Sequence, residues 1–184
     1  MNLENHFSEY RKHLSAPGIS PLLEDFANRI RQTREQGGKI LLAGNGASAS
    51  ISSHLAVDFS SQAGVRAMAF NDANLITAFA NDCGYENWIV KALKIYADPK
   101  DLLILISSSG RSANVVLGAQ YAKKIGIPVV SFTGFDKDNP LGTLVDLNFW
   151  VDSRSYNIVE CVHMIWLTSA CDLLIGRSDY SVKP

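Results

Sequence analysis

The sequence predicts an α/β fold: a doubly wound, parallel, five-stranded sheet flanked by helices. Three observations predict it. Short runs that are apolar throughout alternate with segments of helical period, each such run gives way to small polar residues, and no repeat or low-complexity linker breaks the alternation. Ser20 and Pro21 ahead of Leu22, Leu23, Phe26 and Ile30 read as an N-cap and an N1 proline opening an amphipathic helix, which Gly37 and Gly38 stop. Lys39 to Ala43 is then a first strand. The pattern returns at Arg66 to Phe70, Leu102 to Ile106, Pro128 to Phe132 and Leu147 to Val151. Helical windows fall at Ala47 to Phe59, Asn74 to Ala80, Tyr85 to Ala97, Ser112 to Ile125 and Tyr156 to Ile175.

The chain has 184 residues, with 17 Lys and Arg against 18 Asp and Glu, and is 47% hydrophobic and 19% charged. That length suits one domain over residues 1–184, with a helical segment at its N-terminus. The near-neutral balance lacks the basic excess of a protein that binds nucleic acid through its phosphates. Met1 to His13 is polar, and no apolar run of membrane-spanning length is apparent, so no membrane partner and a cytoplasmic location are expected. Cys83, Cys161 and Cys171 lack paired spacing; Cys161 and Cys171 fall in an apolar helix and read as core. Trp88 and Trp166 read as core or interface, and His6 and His13 as solvated surface.

In a parallel sheet, ligands bind beyond the carboxyl ends of the strands. Two loops there run directly into helices: Gly44 to Ser48, and Ser107 to Ser112, which holds four serines in six residues. A helix N-terminus offers unpaired N–H groups and a partial positive charge, and several short hydroxyl donors surround a tetrahedral phosphate well. Turn formation and helix capping explain the same residues without a ligand. Neither loop is a Walker A motif or a dinucleotide fingerprint.

These loops, with Ala113 and Asn114, Thr133 and Gly134, and the run Thr77 to Asp82 before Gly84 and Tyr85, resemble a sugar isomerase (SIS) domain of flavodoxin-like topology, in the branch of the phosphoheptose isomerases. The resemblance runs from about Leu22 to Ile175. It implies a ketose–aldose isomerase of sedoheptulose 7-phosphate or a related phosphosugar. It implies that Ser107, Ser108, Ser109 and Ser112 hold the phosphate, that Asn45, Gly46, Ala47 and Ser48 line the sugar, and that Asp82 meets a hydroxyl. Ala47 stands where the family usually has a glycine.

Isomerisation removes a proton α to a carbonyl and returns it to the neighbouring carbon, which requires a base. His54 and Asp58 lie at i and i+4 on the edge of an apolar helix face, and spacing alone permits a purely structural pair. The resemblance implies a zinc-ligand role for His54, and base and ligand roles for Asp58, where the family has glutamate. Aspartate reaches about 1.5 Å less, one carbon–carbon bond, and a misplacement of that order costs roughly a hundredfold in rate.

In the last helix, the resemblance places Val159 at the family's usual glutamine and Leu167 at its usual catalytic histidine. Residues 159, 163 and 167 form one stripe at i, i+4 and i+8, so His163 is a candidate replacement base one turn earlier; packing at a helix or subunit contact is the competing reading. His54 and Asp58, even with His163, barely reach the three or four ligands zinc takes, and metal binding stays open. Glu160 reads as a partner of His163 or a solvated charge, and Arg111 and Arg154 as phosphate partners or surface cations. The last helix is apolar on more than one side, which points to an oligomer, and the resemblance implies a homotetramer. Val159 and Leu167 favour an alternative: a regulatory or binding protein that keeps the phosphosugar pocket without catalysis.

Overall fold

The computed structural model describes residues 2–179. Helix α1 (Leu3–Leu14) is followed by α2 (Ile19–Glu35), β1 (Ile40–Gly44), α3 (Ala47–Ser61), β2 (Ala67–Ala69) and α4 (Ala73–Cys83). A single 3₁₀ turn (Tyr85–Asn87) leads into α5 (Trp88–Tyr96), β3 (Leu102–Ser107), α6 (Ala113–Lys124), β4 (Val129–Thr133), β5 (Leu147–Trp150) and α7 (Tyr156–Ile175). The five strands pair in parallel in the order β2-β1-β3-β4-β5. This is the doubly wound α/β architecture that the sequence predicts, and in this order the topology reverses between β1 and β3.

Alternation along the strands builds two core layers, because successive side chains point to opposite faces. Ile40 and Leu42 of β1 and Leu102, Ile104 and Ile106 of β3 pack with α2, α3 and α7, whereas Leu41, Ala43, Leu103 and Leu105 pack with α5 and α6. Phe132 and Phe149 stack at 4.5 Å between ring centroids, and Phe26 of α2 meets both edge-on. Trp88 and Trp166 are buried, as expected.

Four local expectations are corrected. Helix α2 begins at Ile19 with Gly18 as its N-cap, not Ser20, so Pro21 sits inside the first turn, where its missing N–H leaves no helical hydrogen bond unmade. His13 is buried, because α1 folds back onto α7, and His6 is half-buried with its ring edge-on to Tyr10 at 5.2 Å. Cys171 is buried but Cys161 is exposed, since it lies on the outward side of α7. Helix α7 is long and apolar enough to cross a membrane by length and composition, contrary to the sequence reading, yet it is packed against α1, α2, α3 and β4 as a core helix.

Candidate functional site

The β1 and β3 loops diverge because α3 packs on one face of the sheet and α6 on the other, leaving a crevice at the topology switch. A cavity of about 300 Å³ occupies it. It is lined by the serine loop, by Asn45 to Ser48, and by a third wall of Tyr156 and Glu160 at the start of α7. A larger cavity of about 580 Å³ lies between α2 and the C-terminal end of α7, lined by Ser20, Glu24, Ser169, Asp172 and Arg177 among others, and by none of the loops that follow the strands.

Local sequence shapes both loops. At Gly44 a Cβ would stand 2.7 Å from the Ser48 Cβ and 2.8 Å from the Ser48 carbonyl carbon, so only glycine lets α3 fold back this tightly onto β1. Gly110 has φ +62°, and a Cβ there would fall 1.9 Å from the Asn139 side-chain oxygen. Asn139 is buried; its amide nitrogen donates to the Thr133 hydroxyl at 3.2 Å, and its oxygen accepts the Gly142 N–H at 2.8 Å. The serine loop is thereby clamped against the β4 loop.

The serines are left with free bonding capacity. Ser107 and Ser108 are buried, and the Ser108 hydroxyl has no hydrogen-bond partner. Ser112 is the N-cap of α6 but its side chain makes no capping bond; its hydroxyl stands 3.4 Å from that of Ser107. The Ser109 hydroxyl accepts the Arg111 N–H at 3.2 Å. A buried orphan hydroxyl costs free energy unless something occupies the space beside it. Ser107, Ser108, Ser109 and Ser112 line the cavity at the N-terminus of α6, a position that suits a phosphate.

The two loops are tied together. The amide of Asn45 donates to Asn114 at 3.0 Å, that of Asn114 donates back at 2.9 Å, and the Tyr85 hydroxyl adds a bond to Asn45 at 3.0 Å. Asn114 is buried, so this reciprocal amide pair fixes the distance between the loops.

Asn45, Gly46, Ala47, Ser48, Ser107, Ser108, Ser109 and Ser112 therefore all border one cavity. Asp82 does not border it; it is exposed near the end of α4. His54 and Asp58 also lie outside it, further along α3, joined to each other at 3.1 Å, with His54 exposed. His163 is the largest departure. Residues 159, 163 and 167 do form one stripe, but all three are fully buried, because that face of α7 packs on β4 and α3. The His163 Nε2–H donates to the Thr133 carbonyl at 3.0 Å, Nδ1 has no partner, and burial pushes the imidazole down to about 4. It is a core histidine, and the expectation of a replacement base there is corrected.

Sequence reasoning passes over Tyr156 and takes Glu160 as a partner of His163 or a solvated charge. They stand at i and i+4 on the face of α7 adjoining the stripe, which turns them to the crevice. Glu160 is half-buried, and desolvation holds its carboxyl above the usual carboxylate range. The signal for them was present: the first turn of a helix that follows a strand lies at the carboxyl edge of the sheet.

A zinc ion does not fit the residues present. His54 and Asp58 satisfy each other, and among the described residues no three His, Cys, Asp or Glu side chains gather closely enough to hold a metal. At the rim, Arg111 and Arg154 both reach Asp136 of the β4 loop, Arg111 at 3.3 Å. Phe135, beside that aspartate, has φ +55°, and its ring meets that of Tyr156 edge-on at 4.8 Å.

Residues 11–134 match the model of the SIS domain. The chain belongs to the SIS-domain family. This SIS-domain protein is 34% identical over 164 residues to a phosphoheptose isomerase of a Roseiflexus species, covering 84% of the chain and 81% of the relative. It is 35% identical over 159 residues to a phosphoheptose isomerase of Thermodesulfovibrio yellowstonii, covering 83% and 79%. The solved phosphoheptose isomerase of Neisseria gonorrhoeae superposes with a TM-score of 0.86 at 26% identity, covering 94% of this chain and 97% of that one.

Proposed function

We propose that this SIS-domain protein is a ketose–aldose isomerase acting on sedoheptulose 7-phosphate or a closely related phosphosugar. One observation carries the reading: an unpartnered buried hydroxyl, Ser108, among serines at the uncapped N-terminus of α6, in the same cavity as a half-buried carboxyl. The family membership and the phosphoheptose isomerase relatives support it.

In this mechanism, the serines and the α6 N–H groups grip the phosphate and fix the sugar chain along the crevice. Asn45, held by Asn114 and Tyr85, supplies hydrogen bonds to hydroxyls. The Glu160 carboxylate accepts the proton α to the carbonyl, giving an enediolate; the neighbouring hydroxyl proton passes to the former carbonyl oxygen, and Glu160 returns its proton to the neighbouring carbon. A carboxyl whose proton affinity is raised by desolvation is a stronger base than one in water. Free thiols at Cys83, Cys161 and Cys171 support a reducing, cytoplasmic location. Ile165 and Leu173 exposed on α7, and Val57 on α3, support burial of these faces in a homotetramer.

A second reading rests on Val159 and Leu167, buried hydrocarbon where the resemblance implies polar groups: a binding protein without catalysis. Incubating the chain with sedoheptulose 7-phosphate in deuterium oxide separates the two. Deuterium at the α carbon supports the isomerase; uptake of the sugar without exchange establishes the binding protein.

A further inference from the structure

The charge balance of the crevice is incomplete. Among the described residues lining it, the one charged side chain is Glu160, so a phosphate dianion entering it meets neutral donors, a helix dipole and a carboxylate of its own sign. The segments that form the walls do carry two cations. Arg111 belongs to the serine loop, and Arg154 lies two residues before Tyr156. Both guanidiniums are turned to one carboxylate, Asp136, with more than half of each side chain exposed, and one positive charge in this trio has no counterion. The left-handed backbone at Phe135 presents Asp136 at this rim, beside the Tyr156 wall.

We propose that Asp136 parks Arg111 and Arg154 at the mouth of the crevice, and that on substrate entry they exchange this carboxylate for the phosphate dianion, so that they set the selectivity for phosphorylated sugars. The inference rests on the phosphosugar reading of the same crevice. Guanidinium and phosphate match in a bidentate geometry, and the dianion offers each arginine more charge than half a share in one carboxylate.

The test is calorimetric titration of the full chain with sedoheptulose 7-phosphate, in wild type, in the Arg111→Ala/Arg154→Ala double variant and in Asp136→Asn. The double variant should bind roughly tenfold or more weakly, the scale of losing charge-assisted hydrogen bonds. Asp136→Asn should bind more tightly than wild type, because it removes the competitor and keeps both cations. A merely structural ion-pair network predicts that both variants weaken binding, so weaker binding by Asp136→Asn overturns the proposal, as does wild-type affinity in the double variant. Wild type that takes up no phosphosugar overturns both this proposal and the reading on which it rests.

Discussion

Protonation of His163 sets a limit on acid stability that can be worked from the structure. In the unfolded chain the imidazole titrates near 6.5; in the folded protein it is enclosed between α7 and β4 and titrates near 4. Above pH 6.5 the ring is neutral in both states and exerts no pull. As the pH falls from 6.5 to about 4, the unfolded chain takes up a proton that the folded chain refuses, so stability declines with the pH. Each pH unit costs about 1.4 kcal/mol once the unfolded imidazole is charged, and the whole interval costs about 3 kcal/mol. That is a large share of the roughly 5–15 kcal/mol that holds a typical domain together. The perturbation is His163→Gln, whose amide keeps a donor for the Thr133 carbonyl and carries no proton to titrate. Urea unfolding followed by circular dichroism at pH 8, 7, 6, 5 and 4.5 gives the two stability curves. Carboxylates bend both curves alike, so the difference between them isolates His163. It should change by about 2 kcal/mol between pH 7 and pH 4.5, with the wild type losing more. Parallel curves over that range refute the burial argument.

Glu160→Gln should lower deuterium incorporation at the α carbon by about a hundredfold or more while retaining phosphosugar binding; in the wild type, exchange should fall off on the acid side at a higher pH than for an ordinary carboxyl, because the base form is lost below a raised value. Gly110→Ala, which forces a Cβ onto the Asn139 side chain from a left-handed backbone, should destabilise the fold by about 1–3 kcal/mol and weaken phosphosugar uptake, read by thermal unfolding and calorimetry. Prolonged dialysis against EDTA should leave exchange and melting temperature unchanged, given the donor set at His54 and Asp58; a stoichiometric zinc in the purified protein, or activity lost on dialysis and restored by zinc, contradicts that expectation.

The sheet was legible because the central strands, buried on both faces, demand uninterrupted apolar runs such as Leu102 to Ile106, and five short β-rich runs alternate with helical periods. The two ligand loops were legible for a related reason: a parallel sheet delivers its strand ends to one edge, and glycine and serine there mark close backbone approach. Asn114, at the start of α6, carried no such mark. Its partner Asn45 is 69 positions away, and only the adjacency of β1 and β3 brings the two amides together. His13 was misjudged because the polar composition of α1 conceals one face that folds onto α7, a contact spanning most of the chain.

Helix α7 shows why spacing alone could not locate the chemistry. Residues 159 and 160 are adjacent in sequence but about 100° apart around the axis, since a turn holds 3.6 residues. Val159, His163 and Leu167 thus form a true stripe that faces β4 and α3, and Gly134 lies so close to it that an added Cβ would stand 2.8 Å from the Val159 methyls. Val159 and Leu167 are fully buried, and neither lines the crevice. Tyr156 and Glu160, one step around the same helix, carry the polar atoms on that wall of the cavity. The carboxyl suited to proton transfer sits on the neighbouring stripe, so Glu160→Gln is the substitution that decides between catalysis and binding alone.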